Sequence, residues 1–293
     1  MHVPINISEY PNMNARFPFH ISVNTINKHF PTHRHPHLEL SLVIEGSGYE
    51  VINGKSHMMK PGTFTFILPY QTHAISADKD NPLRLINCNF ELELLYETGL
   101  HGFLEIEEPS HTEPFTNMRG SQLDHCCTLL MSMIEEYKSD RPYKNALIKS
   151  RFTEVMVKFE RIRRAEEVDR SVIPEDLSFK KSIIWDIVKY AHQHYNEDIS
   201  LTKLSKKFHV STSHLSELFK NQLGLNYLHF VQELRIRHAC SLLSSTDMPV
   251  TDISLEVGYK SFQTFSRVFR EIKQNTPTGY RKNLQTAEHS RLN

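Results

Sequence analysis

At 293 residues the chain is long for one core and suits two domains of ordinary size, and it contains no apolar run long enough to span a membrane. Residues 1–10 lack a basic-then-apolar signature, and Cys88, Cys126, Cys127 and Cys240 form no C-x-x-C pair, so a soluble cytoplasmic protein with reduced thiols is expected. Basic and acidic residues number 34 each, yet residues 178–293 hold 16 and 10 while residues 1–177 hold 18 and 24, which predicts a polyanionic partner for the C-terminal part.

The first half alternates with period two. Residues 38–44, 63–68 and 83–88 read as short strands, with turns at Gly46-Ser47-Gly48, Asn53-Gly54 and Lys60-Pro61-Gly62. Many short strands with such turns predict an antiparallel β-barrel or sandwich over residues 1–120, and we take the barrel as the expectation.

This region is rich in histidine. His33-Arg34-His35-Pro36-His37-Leu38-Glu39, with Gly46 seven residues on, resembles the first motif of the cupins. Pro61-Gly62 and Pro69 with His73 resemble the second, one residue off in spacing. On a strand, positions 33, 35 and 39 share parity and point to one side. With His73 from a neighbouring strand they form a candidate site for a divalent metal (Zn, Mn, Fe, Ni or Cu). The alternative is an organic effector bound without metal, with His33, His35, Glu39, Phe66, His73 and Arg84 as the candidate liners.

Beyond residue 121 the period becomes helical. Leu123, Cys126, Cys127, Leu130, Met131, Ile134 and Tyr137 fall on one face of a helix, and Pro142 interrupts the pattern. A second helix carries Leu147, Ile148, Phe152, Val155 and Phe159, runs into a charged stretch over residues 158–170 and closes at Pro174. Residues 121–177 therefore read as a helical linker, which either packs on the barrel or forms a dimer interface.

Residues 178–293 read as helices joined by short turns, and they contain a repeat. Leu204, Phe208, Val210, Leu215, Leu218 and Phe219 match Ile253, Val257, Tyr259, Phe265, Val268 and Phe269 at an offset of 49 or 50 residues. Two short helices and a tight turn, given twice, predict helix-turn-helix units at about 200–222 and 250–272, joined by a helix over residues 226–243. In the second unit Ser261 is the expected N-cap, and Phe262, Phe265, Val268 and Phe269 the core face. Lys260, Gln263, Ser266, Arg267 and Arg270 then face outward, as do Ser213, His214, Ser216, Glu217 and Lys220 in the first unit. Gln and Arg pair bidentately with base edges, and Lys and Arg neutralise phosphates.

Ile199-Ser200-Leu201, Leu204, Phe219-Lys220, Gly224, Arg235, Ala239, Leu242-Leu243, Ile253, Val257-Gly258-Tyr259, the run from Phe265 to Arg270, Thr276-Pro277 and Tyr280-Arg281 together resemble the DNA-binding domain of AraC-type transcription regulators. The resemblance covers roughly a hundred residues. Ser205 and Ser254 stand where that family usually has Ala, and Gln274 where it has Gly. The resemblance implies a regulator rather than an enzyme, controlled by a small molecule (a sugar in many members) held in the N-terminal domain. It also implies double-stranded DNA as partner, a homodimer, and contact with RNA polymerase where the regulator activates. A cupin metalloenzyme carrying a DNA-binding tail, and a constitutive DNA binder whose barrel only dimerises, are the competing readings.

Overall fold

A computed structural model describes residues 4–7, 9–13, 15, 17–100, 114–170 and 183–292. Pro174 and the end of the expected linker lie outside them. The chain divides into two compact units, residues 1–13 with 19–182, and residues 14–18 with 183–293.

Among the described residues, the first unit is built on ten strands. They are β1 (Ile5–Asn6), β2 (Phe19–Ile26), β3 (His29–Arg34), β4 (Leu38–Glu45), β5 (Gly48–Ile52), β6 (Lys55–Met59), β7 (Thr63–Ile67), β8 (His73–Ala77), β9 (Leu83–Phe90) and β10 (Phe115–Asn117). The expected barrel does not form. The strands make two separate five-stranded sheets, ordered β1-β3-β8-β5-β6 and β10-β7-β4-β9-β2, and among the described residues no ladder joins them. Alternation and turn residues are the same for a barrel and for a pair of sheets; the difference lies in where the turns send the chain. Asn53 and Gly54, both left-handed at φ 48° and 83°, return β5 onto β6 within one sheet. The turns at Gly46 and Gly62 instead hand the chain to the opposite sheet. Gly46 has φ 82°, and a Cβ there would lie 1.9 Å from the Pro82 carbonyl oxygen, so only glycine allows this crossing.

Strand β4 sits in the middle of its sheet and is buried on both faces along most of its length. One face takes Leu38, Leu40 and Leu42 toward a helical layer. That layer consists of α2 (Gly120–Lys138) and α3 (Lys144–Arg170); a short α1 (Leu92–Glu97) follows β9. Phe152 and Phe159 of α3 stack edge-on against Phe90 and Phe64, with ring centroids 4.7 and 5.1 Å apart. The helical face differs in detail from expectation. Met133 and Met156 are buried, whereas Met131 and Leu147 are exposed.

The second unit is all helical. It comprises α4 (Ile183–His194), α5 (Leu201–Phe208), α6 (Thr212–Leu218), a π turn (Phe219–Leu223), α7 (Tyr227–Ser245), α8 (Val250–Glu256), α9 (Phe262–Lys273) and α10 (Pro277–Leu292). The α5–α6 and α8–α9 pairs precede and follow α7 in the chain, and its 19 residues span roughly 28 Å at ~1.5 Å each. Ser211 and Ser261 cap α6 and α9 by accepting the His214 and Thr264 backbone N–H groups. Gly258 (φ 87°) turns α8 into α9, where a Cβ would lie 2.7 Å from the Asn196 carbonyl oxygen. Arg235 donates to the Tyr195 and Glu197 carbonyls at 2.7 Å each, tying α7 to the end of α4. Phe265, Val268 and Phe269 join Ile236, Ala239, Cys240, Leu243, Ile253, Val257 and Tyr259 in one buried cluster. Phe262, expected in that core, is instead 39% exposed, because the first turn of α9 projects beyond the cluster.

Candidate functional site

Between the inward faces of the two sheets lies a half-open cavity of about 500 Å³, a size that suits a small molecule. Strand parity decides what lines it. From β4 comes Glu39; from β9 Leu85, Asn87 and Asn89; from β2 His20, Ser22, Asn24 and Ile26. The opposite sheet supplies Phe30, His33, His73 and Ile75, and the β3–β4 connection supplies His35 and His37. His33, His35, Glu39 and His73 are thus brought together. Phe66 and Arg84 are not among the liners. Phe66 lies on the other face of its sheet, 6.3 Å from the Phe159 ring, and Arg84 forms a surface ion pair with Glu45 at 2.6 Å. Arg84 has the parity opposite to the pocket-facing residues of β9, and Phe66 pairs with Leu40 on the helix-facing side, which a search for aromatic or cationic liners overlooks.

His33 and His73 are direct partners across β3 and β8, their ring centroids 4.0 Å apart. The ligand nitrogens of His33, His35 and His73 all lie within 4.8 Å of one another, and His35, His37 and Glu39 form a second such trio. His35 Nε2 is 3.2 Å from His73 Nε2 and 3.4 Å from a Glu39 carboxylate oxygen. Every ring of the first trio has its other nitrogen engaged. Nδ1 of His33 meets the Pro31 carbonyl at 2.9 Å, Nδ1 of His35 the His37 carbonyl at 2.9 Å, and Nδ1 of His73 the Glu50 carboxylate at 3.2 Å. With those Nδ1 atoms donating, three Nε2 lone pairs are left for an ion, the tautomer that metal-ligating histidines use. The donor set therefore fits a divalent transition metal.

Electrostatics agree. Burial and the neighbouring His73 push His33 down to about 4, so its ring is neutral. Burial alone would raise the Glu39 carboxyl, but the His35 hydrogen bond and the imidazole charges around it hold it down at about 2. Among the described residues no Lys or Arg lines the cavity. Glu50 and His57 were missed by the sequence reading. They sit directly opposite each other across the Asn53-Gly54 hairpin, 3.3 Å apart, and His57 stacks on Phe115 at 4.0 Å. Period-two counting back from that turn puts Glu50 on the inward face, and that signal was available. His37 shares the parity of 33, 35 and 39 and was passed over for the same lack of counting.

The second candidate surface lies on α6 and α9. Ser213, His214, Ser216, Glu217 and Lys220 are exposed, as are Lys260, Gln263, Arg267 and Arg270, while Ser266 is half-buried. Arg267 donates to Glu271 at 2.6 Å, and Ser261 Oγ donates to the Gln263 side-chain oxygen at 3.0 Å.

Comparison with known proteins places these two regions. A family model described as an AraC-like ligand binding domain matches residues 18–156, and one described as a helix-turn-helix domain matches residues 204–283. An uncharacterised HTH-type transcriptional regulator of Staphylococcus aureus is 36% identical over 129 residues, which cover 40% of this chain but 17% of that protein. The HTH-type transcriptional activator RhaS of Yersinia pseudotuberculosis is 24% identical over 273 residues, covering 91% of this chain and 94% of the relative. Among solved structures, apo ToxT of Vibrio cholerae aligns over 91% of this chain and 97% of its own, at 14% identity and a TM-score of 0.45. A ligand-binding module and a helix-turn-helix module, in that order along one chain, together with the duplicated helix pair flanking α7, carry the assignment: this chain belongs to the AraC-type family of helix-turn-helix transcription regulators.

Proposed function

We propose that the protein is a sequence-specific DNA-binding transcription regulator controlled by a small molecule held between the two sheets of its N-terminal unit. The observation that carries the reading is the pairing of two capped, outward-facing recognition helices with a cavity of mixed polar and apolar lining elsewhere in the chain. In this reading residues 1–120 sense the effector, residues 121–177 link and dimerise, and residues 178–293 bind double-stranded DNA. Lys260, Gln263, Ser266, Arg267 and Arg270 of the second unit read the major groove with the larger share of charge. Ser213, His214, Ser216, Glu217 and Lys220 of the first read it with less. RNA polymerase is the further partner if the outcome is activation.

The pocket liners in this reading are His33, His35, Glu39 and His73, joined by His37, Asn87 and Asn89. A divalent metal held by the Nε2 atoms of His33, His35 and His73, with Glu39 close by, is part of the same site. Nothing in the cavity singles out a sugar.

Footprinting tests the whole. Operator DNA selected from a random pool should be protected by the full chain, and the protection should change when a compound that raises the melting temperature of the protein is added. Protection that no stabilising compound or metal ion alters would reduce the protein to a constitutive DNA binder.

A further inference from the structure

We propose that Glu50 is the positioning residue of the pocket's metal site: its carboxylate, clamped between His73 and His57, aims the His73 Nε2 at a divalent transition-metal ion and supplies the second of two negative charges that balance it. The inference rests on the metal assignment made above and adds a residue that lies outside the ligand set.

Three observations lead to it. The first is depth. Glu50 is 1% exposed, and among the described residues its charged or chargeable contacts are imidazoles, His73 at 3.2 Å and His57 at 3.3 Å, with no Lys or Arg. A carboxylate so placed has lost its hydration and needs a compensating cation. The second is charge count. Glu39, 7% exposed, is the other buried carboxylate of the cluster. With an ion on the Nε2 lone pairs the imidazoles are neutral, and the two carboxylates then match the charge of one divalent ion. The third is geometry. Two nitrogens bound to one ion at about 2.0–2.1 Å lie roughly 3.0–3.4 Å apart, and the His35 and His73 Nε2 atoms are 3.2 Å apart before any ion is considered.

Glu50 is suited to hold that geometry. On β5 it pairs with Ile75 and lies two residue pairs from His73 along the β5–β8 ladder, on the same face, and it stands directly opposite His57 on β6. His57 is itself braced by the Phe115 ring, stacked at 7°. One carboxylate oxygen accepts a hydrogen bond from His73 Nδ1, and the other lies 3.3 Å from His57 Nε2. Imidazole nitrogens with a carboxylate nearby and no thiolate select zinc, cobalt or nickel over calcium or magnesium. A carboxylate behind a ligating histidine raises its basicity and fixes its tautomer, and removing such a partner typically weakens metal binding about 10–100-fold.

The test uses the full chain, stripped with a chelator, and Co²⁺ as the probe. Calorimetry and visible absorption should report one ion per chain in the wild type. Glu50→Gln keeps the shape but removes the charge, and it should weaken Co²⁺ binding about 10–100-fold. At saturation the variant should still show ligand-field bands, shifted from those of the wild type because His73 has become a weaker donor. Glu45→Gln, an exposed carboxylate outside the cavity, should change neither reading. Should Glu50→Gln not fold, His57→Phe preserves a ring against Phe115 while removing the nitrogen that clamps Glu50, and it should weaken Co²⁺ in the same direction. A wild type that takes up no Co²⁺ overturns the metal assignment itself. A wild type that binds Co²⁺, with Glu50→Gln or His57→Phe binding equally well and with unshifted bands, leaves the metal site standing and overturns the role of Glu50.

Discussion

The Nε2 atoms of His35 and His73 face each other at 3.2 Å. The Nδ1 atom of each ring is already committed, to the His37 carbonyl and to Glu50 respectively. Two lone pairs repel at that separation, so a proton or a metal ion must stand between them. Burial would push His73 below the ordinary imidazole range, but the Glu50 hydrogen bond and the charges of Glu39 and Glu50 carry it above. Without metal, therefore, the surroundings favour a proton on His73, donated toward the His35 Nε2.

From this follows an effect on stability. Zn²⁺ at about 100 times its dissociation constant should stabilise the wild type by about 2.7 kcal/mol, because an ion that binds only the folded state shifts the unfolding equilibrium by mass action. The paired substitution His33→Ala and His35→Ala should abolish that gain, leaving binding to selected DNA in the absence of metal and effector unchanged. Thermal unfolding with and without Zn²⁺, read beside a DNA titration, checks both halves. A Zn²⁺-induced rise that survives the substitutions would remove these histidines from the site.

Phe66 and Arg84 separate the pocket from its surroundings. Phe66 is 1% exposed in the layer between sheet and helices, so Phe66→Ala should cost about 3–5 kcal/mol of unfolding free energy through lost burial and a residual cavity. Arg84→Ala breaks an exposed ion pair and should cost under about 1 kcal/mol. In denaturant titrations the two should differ by that margin, and the folded fraction of each should bind Co²⁺ as the wild type does. Loss of Co²⁺ binding by Arg84→Ala would place that side chain at the pocket after all.

Gln274 ends α9 in the left-handed conformation, φ 51°, with its backbone N–H on the Arg270 carbonyl. Glycine takes that conformation without steric cost. Gln274→Gly should therefore stabilise the C-terminal unit by about 1 kcal/mol, offset in part by loss of the bond from the Gln274 amide to the Glu271 carbonyl. Guanidinium-induced unfolding followed by helical circular dichroism would reveal the change, and a variant less stable than the wild type would contradict the argument.

Much of the molecule was legible in its residues, and what was not has specific causes. The helix-turn-helix repeat was readable because Leu204, Leu215 and Phe219, with Ile253, Phe265 and Phe269, are all fully buried and helical spacing is strict over such short elements. The strands were readable too, but closure was not. Alternation records which side of a strand is buried and says nothing about whether Gly46 and Gly62 send the chain along its sheet or across to the other. The same parity, carried through every strand, would have admitted His37, Asn87 and Asn89 to the pocket, placed Glu50 behind His73, and excluded Phe66 and Arg84. Phe262 misled for a different reason. Its spacing from Phe265 and Phe269 is helical, but as the first residue of α9 it has no preceding turn to cover it.

The last prediction concerns Arg267 and its neighbour one turn on. Phe265, Val268 and Phe269 are buried, which turns residue 267 outward, and Gln263 precedes it by four residues on the same side of α9. In the absence of DNA the guanidinium rests on Glu271 at 2.6 Å, both side chains being more than half exposed at 61% and 56%. A pair of that kind contributes only about 0.3–0.5 kcal/mol, whereas an arginine bidentate to guanine contributes ~1–3 kcal/mol of discrimination. The intramolecular contact therefore holds the side chain in readiness without preventing its transfer to a base edge. Arg267→Ala should lower affinity for the selected operator roughly tenfold and flatten preference at one base position, while nonspecific binding weakens far less and the salt slope falls by about one at most. Glu271→Gln should act in the opposite sense, removing a negative charge from the reading face and tightening binding to operator and scrambled DNA alike by a modest factor. Titrations of the three proteins against both DNAs at two salt concentrations decide the matter. An equal loss on operator and scrambled DNA for Arg267→Ala would make Arg267 a phosphate contact, and the base would have to be read by Gln263 or Arg270.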